Sequence, residues 1–214
     1  MDQEEYQLEY DYRNDLIVNF TNGKNKIKFN LSQYYLDLKT RIQTNLKKEP
    51  LFKLIKANQT IIDATSGLLQ DSLILAAFNK KIICFESEKQ IFKLQEIIKN
   101  DILAMDPFFK NIVKNIRIEL GKSINYNKIL KQNISCIYVD LMFDDTKNSA
   151  PKKSKQLLRK YADKNNNYAE FIDYAKANKL NLIIKSNSLN LAKNYPELSY
   201  QKFGNLYFYQ LTSF

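Results

Sequence analysis

Two hydrophobic periodicities alternate along most of the chain. Short apolar runs with polar ends predict β-strands at residues 60–64, 81–86, 115–120, 135–140 and 180–185. Segments with apolar residues at helical spacing lie between them and predict α-helices at residues 72–78, 87–100, 154–161 and 168–178. Strands that alternate with helices indicate a mostly parallel sheet covered on both faces. The last two runs, at residues 198–203 and 206–211, predict a closing antiparallel pair.

The N-terminal part has a different pattern. Residues 16–29 alternate on either side of Asn22 and Gly23, a pair that tolerates the positive φ angles of a tight hairpin turn. Apolar residues then recur at helical spacing over residues 31–46. The predicted domains are therefore a small α+β N-terminal subdomain at residues 1–50 and a larger α/β domain at residues 51–214.

The charge balance is strongly basic. The chain has 33 Lys and Arg residues against 23 Asp and Glu residues, which gives a net charge of +10. A cluster of seven cations surrounds a single acid, Asp163, and consists of Lys147, Lys152, Lys153, Lys155, Arg159, Lys160 and Lys164. Such an excess favours a polyanionic partner such as RNA. The chain is rich in Lys, Asn and Ile throughout, which a biased genomic base composition would also produce, so charge alone leaves both explanations open.

The residue types that are missing exclude several kinds of chemistry. The sequence has no histidine, which excludes Ser-His-Asp and Cys-His catalysis and histidine metal sites, and we expect no metal. Cys84 and Cys136 lie in apolar runs and are predicted to be buried free thiols, which suits a cytoplasmic protein. No apolar run approaches the roughly 18 residues of a membrane span. The acidic N-terminus has no apolar signal core.

Residues 61–71 carry the clearest chemical signal. An apolar run ends at Asp63, a turn of small residues around Gly67 follows, and a helix begins near Asp71. This is the strand–turn–helix start of a Rossmann-like unit, in which a glycine lets the backbone approach a ligand closely. Glu86 ends the second strand, 23 residues after Asp63. An acid there can accept hydrogen bonds from both ribose hydroxyls of a bound nucleoside.

Polar residues also follow the second and third strands. Ser87 comes directly after the second strand, and with Gln90 it predicts a capping box for the next helix. Lys122 and Ser123 follow the third strand after a glycine. Because ligands of an open parallel sheet bind at the carboxyl ends of its strands, these residues are candidates for the same ligand site.

The fourth strand ends in a segment that suits chemistry on an amine. Asp140 is followed by Leu141 and, two residues later, by Phe143, an arrangement similar to the Asp-Pro-Pro-Tyr/Phe loop of methyltransferases that modify exocyclic amines of bases. Such an amine is a poor nucleophile because its lone pair is delocalised into the ring. A carboxylate or carbonyl that accepts its N–H bonds restores electron density, and an aromatic face holds the ring in line. The Asp-Pro-Phe-Phe segment at residues 106–109 looks similar, but it follows a predicted helix, so we interpret it as unrelated.

These motifs together resemble one family, the ribosomal RNA small subunit methyltransferase J family. That family has Asp-Ala-Thr-Ala-Gly-Leu-Gly-Arg-Asp where residues 63–71 read Asp-Ala-Thr-Ser-Gly-Leu-Leu-Gln-Asp. It has Asp-Pro-Met-Phe where residues 140–143 read Asp-Leu-Met-Phe. The resemblance covers about residues 60–190 and is loose in the N-terminal third.

The resemblance implies a Rossmann-like class I fold with a mostly parallel seven-stranded sheet and S-adenosylmethionine (SAM) as the methyl donor. It implies that the acceptor is the N2 amine of a guanine in small-subunit (16S) ribosomal RNA. Separately, we expect the enzyme to be a monomer. The expected cofactor-binding residues are Asp63, Gly67, Gln70, Asp71, Glu86, Ser87, Lys122, Ser123 and Asp140. The expected catalytic residues are Asp140, Leu141 and Phe143. The expected RNA-binding residues are Lys147, Lys152, Lys153, Lys155, Arg159, Lys160 and Lys185.

Three departures from the family pattern keep a second hypothesis open. Leu69 replaces a glycine near the cofactor, Gln70 replaces an arginine, and Leu141 replaces a proline of the catalytic loop. A non-catalytic RNA-binding relative that keeps the fold would also fit these changes. A nicotinamide-dependent oxidoreductase is disfavoured, because Thr65 and Leu69 interrupt the Gly-x-Gly-x-x-Gly turn that it requires.

Overall fold

The structure, a computed structural model, describes residues 7–10, 15–22, 25–55, 60–78, 80–125, 134–140, 153–161 and 168–212. Its N-terminal part begins with a three-stranded antiparallel sheet, made of β1 (Gln7–Tyr10), β2 (Leu16–Asn22) and β3 (Asn25–Asn30). The β2–β3 pair is the predicted hairpin, whereas β1 has no counterpart among the predicted strands.

Two helices connect this small sheet to the rest of the molecule. Helix α1 (Leu31–Asn45) is the predicted helix, and the Asn30 side chain caps it by accepting a hydrogen bond from the main-chain N–H of Gln33 (2.8 Å). The short α2 (Pro50–Leu54) follows. The buried face of α1 packs into one hydrophobic core that also contains residues of the second, larger sheet. The division into domains at residue 50 stays a prediction.

The larger sheet has seven strands: β4 (Thr60–Asp63), β5 (Lys81–Glu86), β6 (Ile116–Leu120), β7 (Ile134–Val139), β8 (Asn181–Ser186), β9 (Ser199–Phe203) and β10 (Leu206–Leu211). Their order across the sheet is β6-β5-β4-β7-β8-β10-β9. The first five in this order are parallel, and β10 is antiparallel to both of its neighbours. The predicted fold, a mostly parallel seven-stranded sheet with a C-terminal antiparallel hairpin, is confirmed.

Helices cover both faces of this sheet: α3 (Gln70–Ala77), α4 (Lys89–Ile97), α5 (Phe109–Val113), α6 (Lys153–Tyr161), α7 (Tyr168–Ala177) and α8 (Asn190–Asn194). A π-helical turn at Ile98–Leu103 extends α4. One face packs against α1 and α3 to α6, the other against α7 and α8. Cys84 and Cys136 are buried free thiols, as predicted. Within the described ranges, no helix has the length and hydrophobicity that crossing a membrane requires.

The predicted capping box at the start of α4 is wrong. The helix begins at Lys89, so Glu88 occupies the capping position, and no side chain makes a capping hydrogen bond there. Instead the Glu86 carboxylate accepts a hydrogen bond from the main-chain N–H of Glu88 (3.0 Å). Ser87 therefore remains part of the loop between β5 and α4.

Asp106 has a structural role, in agreement with its interpretation as unrelated to the catalytic loop. Its carboxylate accepts a hydrogen bond from the main-chain N–H of Phe108 (2.7 Å) just before α5. It also forms an ion pair with Lys39 of α1 (2.9 Å). Both contacts connect the segment that leads into α5 to the rest of the fold.

Candidate functional site

The carboxyl ends of β4 and β7 form the switch point of the sheet. These strands are neighbours, but the chain continues from β4 to β5 on one side and from β7 to β8 on the other. Such a divergence opens a crevice at the carboxyl ends, which is the usual ligand site of open α/β sheets. Asp63 ends β4 and Asp140 directly follows β7, so both acids lie at this crevice.

The turn after β4 is tied to the strands on both sides. The main-chain N–H of Ala64 donates to the carbonyl of Tyr138 on β7 (2.9 Å). On the other side the Ser66 hydroxyl donates to the carbonyl of Phe85 on β5 (3.0 Å). Gly67 follows with a φ of +47°, a left-handed conformation that favours glycine. The turn is thus held rigidly at the crevice with a bare backbone at Gly67.

Leu69 also has a left-handed backbone, with a φ of +61°. This conformation explains a glycine at the corresponding place of the resembling family, because a side chain is strained there. The Leu69 side chain is fully buried in the core shared with α1 and α3. Leu69 is also not among the residues that line the cavity described below.

Asp63 is buried below the turn and stabilises it. Its carboxylate accepts a hydrogen bond from the main-chain N–H of Thr65 (3.2 Å) and another from the hydroxyl of Ser72. Burial raises the pKa of Asp63 to about 7, and the hydrogen bond from Ser72 only partly opposes this rise. Asp63 therefore acts mainly by holding the turn in shape.

Asp71, Asp140 and Lys185 form an ionic cluster at the crevice. The Lys185 ammonium lies 2.6 Å from an Asp71 carboxylate oxygen and 2.7 Å from an Asp140 carboxylate oxygen. The Tyr138 hydroxyl donates a hydrogen bond to the same Asp71 oxygen (2.5 Å). The Thr65 hydroxyl accepts a hydrogen bond from the main-chain N–H of Asp140 (2.7 Å). The cluster thus joins β7, β8, α3 and the turn.

The pKa values of the two carboxylates in the cluster are shifted in opposite directions. Burial would raise the pKa of Asp71, but the charge of Lys185 and the hydrogen bonds from Lys185 and Tyr138 lower it below its ordinary value. Burial raises the pKa of Asp140. The charge of Lys185 lowers it, but the nearby charge of Asp71 raises it again, so the net shift is upward. The pKa of Lys185 is raised, because attraction to both carboxylates exceeds the cost of burial.

A cavity of about 760 Å³ opens at this cluster, a size in the range of small-molecule sites. Of the predicted cofactor-binding residues, it brings together Asp63, Gly67, Gln70, Asp71 and Asp140. Its other walls come from β3, α1, α6 and the start of β10, through residues that include Phe29, Tyr34, Arg41, Leu158 and Leu206.

The wall formed by α1 was not predicted from the sequence. The Tyr34 hydroxyl donates a hydrogen bond to the side chain of Gln70 (2.8 Å), and the Tyr35 hydroxyl donates to the main-chain carbonyl of Leu68 (2.7 Å). Arg41 lines the cavity while its guanidinium makes a two-bond ion pair with Glu49. The helical spacing of α1 indicates which face is buried, but nothing in it indicates that this face meets the turn.

The other predicted cofactor-binding residues do not line this cavity. Glu86 ends β5 and Ser87 follows it, while Lys122 and Ser123 come after β6, and both strands lie on the far side of β4 from Asp140. The main-chain N–H of Gly121 donates to the carbonyl of Glu86 (2.8 Å), which joins these two strand ends. Glu86 and Asp140 therefore do not line this cavity together, and the expectation that they border one cofactor site stays a prediction.

Helix α6 accounts for this separation. A Cβ built on Gly67 would lie 3.2 Å from a methyl carbon of Leu158, so the Leu158 side chain packs directly over the glycine of the turn. The turn lies between the ends of β5 and β7, since β4 is between those strands. In this structure α6 therefore covers the path between the two groups of predicted cofactor residues.

Comparison with known proteins identifies the family. The sequence model of the family described as "Putative SAM-dependent methyltransferase" matches residues 2–201.

The chain belongs to this family.

Among its relatives, ribosomal RNA small subunit methyltransferase J of Francisella tularensis subsp. novicida is 27% identical over 165 residues, 72% of this chain and 68% of the relative. The protein of the same name from Acinetobacter baumannii is 29% identical over 124 residues, 55% of this chain and 44% of the relative. These matches confirm the resemblance to that family, and their low identity indicates that this chain is a divergent member. A crystal structure of a SAM-dependent methyltransferase from Neisseria gonorrhoeae shares the fold, with a TM-score of 0.65, 15% identity and coverage of 92% of this chain and 80% of that one.

The cofactor of this SAM-dependent methyltransferase fits residues at the strand ends. Ser123 is buried, and its hydroxyl has no hydrogen-bond partner among the residues that the structure describes, so a polar ligand atom can bond to it. Burial raises the pKa of Glu86 to about 7, and an ionised carboxylate can accept further hydrogen bonds from ligand hydroxyls. The bare backbone at Gly67 permits close approach once Leu158 gives way.

Only some of the predicted catalytic and RNA-binding residues of the methyltransferase lie within the described residues. Lys153 and Lys155 line the cavity from the start of α6. The catalytic residues Leu141 and Phe143 lie outside the described residues, as do Lys147, Lys152 and the side chains of Arg159 and Lys160. These assignments stay predictions.

Lys185 requires a correction. It was expected to contact RNA phosphates, but its side chain is only 17% exposed and is held between Asp71 and Asp140. The sequence places Lys185 near the end of a predicted strand, but it does not reveal that Asp71 and Asp140 contact it in the fold. Lys185 therefore belongs to the ionic cluster.

Proposed function

We propose that this methyltransferase methylates the exocyclic N2 amine of a guanine in small-subunit (16S) ribosomal RNA. The observation that supports this most directly is the Asp140 carboxylate at the end of β7, in one cavity with the turn that carries Gly67 and Asp71. The names of the relatives, ribosomal RNA small subunit methyltransferase J, support the choice of acceptor.

Asp140 would act on the acceptor amine. Its carboxylate would accept a hydrogen bond from the N2 amine, which returns electron density to the nitrogen, and would take up the proton that the amine loses. The carbonyl of Leu141 would accept the second N–H, and Phe143 would stack on the base, as the resemblance implies. A base within a helix must leave its stack to reach such a pocket.

The donor would lie along the strand ends. When bound, SAM would supply an electrophilic methyl group on its sulfonium, with S-adenosylhomocysteine as the leaving group when the amine attacks that carbon in one step and without a covalent enzyme intermediate. Gln70 and Asp71 would hold its methionine end, Glu86 and Ser87 its ribose, and Lys122 and Ser123 its base. The structure places the first pair at the cavity and the other residues at the neighbouring strand ends.

The basic cluster would bind the RNA backbone. Lys153 and Lys155 lie on the cavity wall next to the proposed acceptor position. Together with the other predicted cations of residues 147–160, they would neutralise phosphates, so binding should weaken as the salt concentration rises. The protein would act in the cytoplasm, where bacterial ribosomal RNA is located, on the free RNA or on the small subunit.

Mass spectrometry of small-subunit ribosomal RNA tests this proposal. RNA from cells that lack the gene should be missing one N2-methylguanine that is present when the gene is intact. Purified protein and labelled SAM should restore that methyl group to RNA from the deficient cells, whereas protein with Asp140→Ala should not. A modification pattern that is identical with and without the gene would contradict the proposal.

A second candidate is a non-catalytic RNA-binding relative, and the position of Leu158 over Gly67 favours it. A side chain that permanently covers the turn would prevent the cofactor from binding. Calorimetric titration with S-adenosylhomocysteine separates the two candidates. Binding in the micromolar range supports the enzyme, and absence of binding at millimolar ligand, with RNA binding retained, supports the non-catalytic relative.

A further inference from the structure

Lys185 connects the two halves of the proposed reaction site. Its ammonium contacts Asp71, which belongs to the proposed donor side, and Asp140, which belongs to the proposed acceptor side. The distances of 2.6 and 2.7 Å are those of charge-assisted hydrogen bonds. One side chain therefore fixes two carboxylates that come from different elements, α3 and the end of β7.

The cluster is shielded from water. The side chains of Asp71 and Asp140 are each 13% exposed. Two carboxylates this close would repel each other strongly in such surroundings, and an ammonium between them removes most of that repulsion. Burial of an ion pair carries a desolvation cost that can exceed the attraction between its charges, so the cluster is weak evidence for stability as such.

Other contacts fix these acids only in part. Tyr138 donates a hydrogen bond to Asp71 (2.5 Å) and Thr65 holds the main chain of Asp140, but among the described residues the only hydrogen bond that the structure gives the Asp140 carboxylate is that with Lys185. Without Lys185, the Asp140 carboxylate would lose the hydrogen bond that orients it within the described part of the structure. The proposed reaction requires this carboxylate to point towards the amine so that it can accept the N–H hydrogen bond.

We propose that Lys185 is a positioning residue of the methyl transfer, which holds the Asp71 and Asp140 carboxylates in the relative geometry that aligns donor and acceptor. This inference rests on the proposed function. It assigns Lys185 a role that acts through the Asp71 and Asp140 carboxylates, and it predicts that the donor side and the acceptor side respond together when Lys185 is changed.

A variant series separates this role from plain stabilisation. Lys185→Met removes the charge, Lys185→Arg keeps it with a different shape, and Lys176→Met removes the lysine of an exposed ion pair with Glu197, away from the cavity, as a matched control. Each variant is assayed for thermal stability, S-adenosylhomocysteine affinity and turnover on the ribosomal RNA.

The expected result is a loss of turnover that exceeds any loss of folded protein. Turnover of folded Lys185→Met should fall roughly 100-fold, with Lys185→Arg between it and the wild type, because misplacement by about 1 Å costs this much. Affinity for S-adenosylhomocysteine should also fall, by about tenfold or less, because Asp71 retains the hydrogen bond from Tyr138. Lys176→Met should match the wild type in both measurements.

The pH dependence of turnover gives a readout that stability alone would not change. Asp140 must be ionised to accept the amine hydrogen bond, and loss of Lys185 raises its pKa further, so the acid limb of the profile should move to higher pH in Lys185→Met. The other charged and titratable groups that interact with Asp71 and Asp140 are Asp63, Arg41, Tyr34, Tyr138 and Lys155. None of them is altered in the variant.

The outcomes distinguish failure of the inference from failure of the proposed function. A wild-type protein that transfers no methyl group would contradict the proposed function and, with it, this inference. An active wild type with Lys185→Met of equal turnover and an unchanged acid limb would contradict the inference alone. If Lys185→Met does not fold, Lys185→Arg decides: wild-type turnover in a stable Lys185→Arg would contradict positioning, and a loss of about fivefold or more supports it.

Discussion

The Tyr35 hydroxyl donates a buried hydrogen bond to the main-chain carbonyl of Leu68, at 2.7 Å. Tyr35 belongs to α1 of the N-terminal part, whereas Leu68 belongs to the turn after β4. The N-terminal helix thus holds the turn that forms the proposed donor site. This contact makes the N-terminal part a structural requirement for the site as well as one of its walls.

Tyr35→Phe should therefore lower both stability and cofactor affinity. The substitution leaves the Leu68 carbonyl buried without its partner, which should lower the free energy of unfolding by about 1–2 kcal/mol. Affinity for S-adenosylhomocysteine should fall as the turn loosens. Denaturant unfolding and calorimetry check the two effects. Tyr34→Phe is the matched control, since it removes a hydrogen bond to the more accessible Gln70 side chain and should destabilise less; equal losses in both variants would contradict the argument.

Leu69 should reverse the usual order of alanine and glycine substitutions. Both Leu69→Ala and Leu69→Gly lose the buried side chain, by general experience a cost of about 2–5 kcal/mol. The φ of +61° strains alanine but not glycine. Relief of this strain, about 1–2 kcal/mol, should exceed the entropic cost of glycine in the unfolded chain, about 0.5–1 kcal/mol.

Leu69→Gly should thus be more stable than Leu69→Ala by about 0.5–1 kcal/mol in chemical denaturation. The same pair at Leu73, a buried residue inside α3, provides the control, because a helix interior favours alanine over glycine. A Leu69→Ala protein more stable than Leu69→Gly would show that the left-handed backbone at this residue is not present in solution.

The sequence predicts local structure here better than it predicts neighbours. The strand at Lys81–Glu86 has the predicted bounds, because an apolar run between polar ends defines a buried strand. The parallel sheet, and the expectation that ligands bind at the carboxyl ends of its strands, follow from alternating strands and helices, whereas the order of the strands was not predicted. The positions of Tyr34, Leu158 and Lys185 could not be predicted, because each depends on which distant element packs against it. A short helix such as α8 also gave no signal, since its five residues complete little more than one turn.

Asp63 should make the protein less stable as the pH rises. Its pKa is raised to about 7 in the folded state, above the ordinary value of an unfolded aspartate, so the folded state binds more protons between these values. The free energy of unfolding that Asp63 contributes is therefore greatest at acidic pH and falls as the pH rises through about 7. Relative to Asp63→Asn, the wild type should lose roughly 2–3 kcal/mol between about pH 5 and about pH 8.

Chemical denaturation at several pH values measures this difference. Ser72→Ala provides a second variant, which should keep the pH dependence but shift it. Ser72 donates a hydrogen bond to the Asp63 carboxylate and thereby lowers its pKa, so its removal should move the decline in stability to higher pH. A difference between the wild type and Asp63→Asn that does not vary with pH would exclude a raised pKa at Asp63.

The last prediction concerns the lysines at the cavity wall. If Lys153 and Lys155 neutralise RNA phosphates, the double variant Lys153→Gln/Lys155→Gln should bind ribosomal RNA more weakly and depend less on salt. For single-stranded RNA, loss of two phosphate contacts should reduce the slope of the logarithm of the binding constant against the logarithm of salt concentration by about 1.4. Filter binding or fluorescence anisotropy over a range of salt concentrations measures this slope.

The double variant Lys47→Gln/Lys48→Gln is the matched control. It removes two exposed lysines that do not line the cavity, so it has the same loss of net charge. Equal slopes in the two double variants would mean that net charge, rather than the position of Lys153 and Lys155 beside Asp140, determines the affinity.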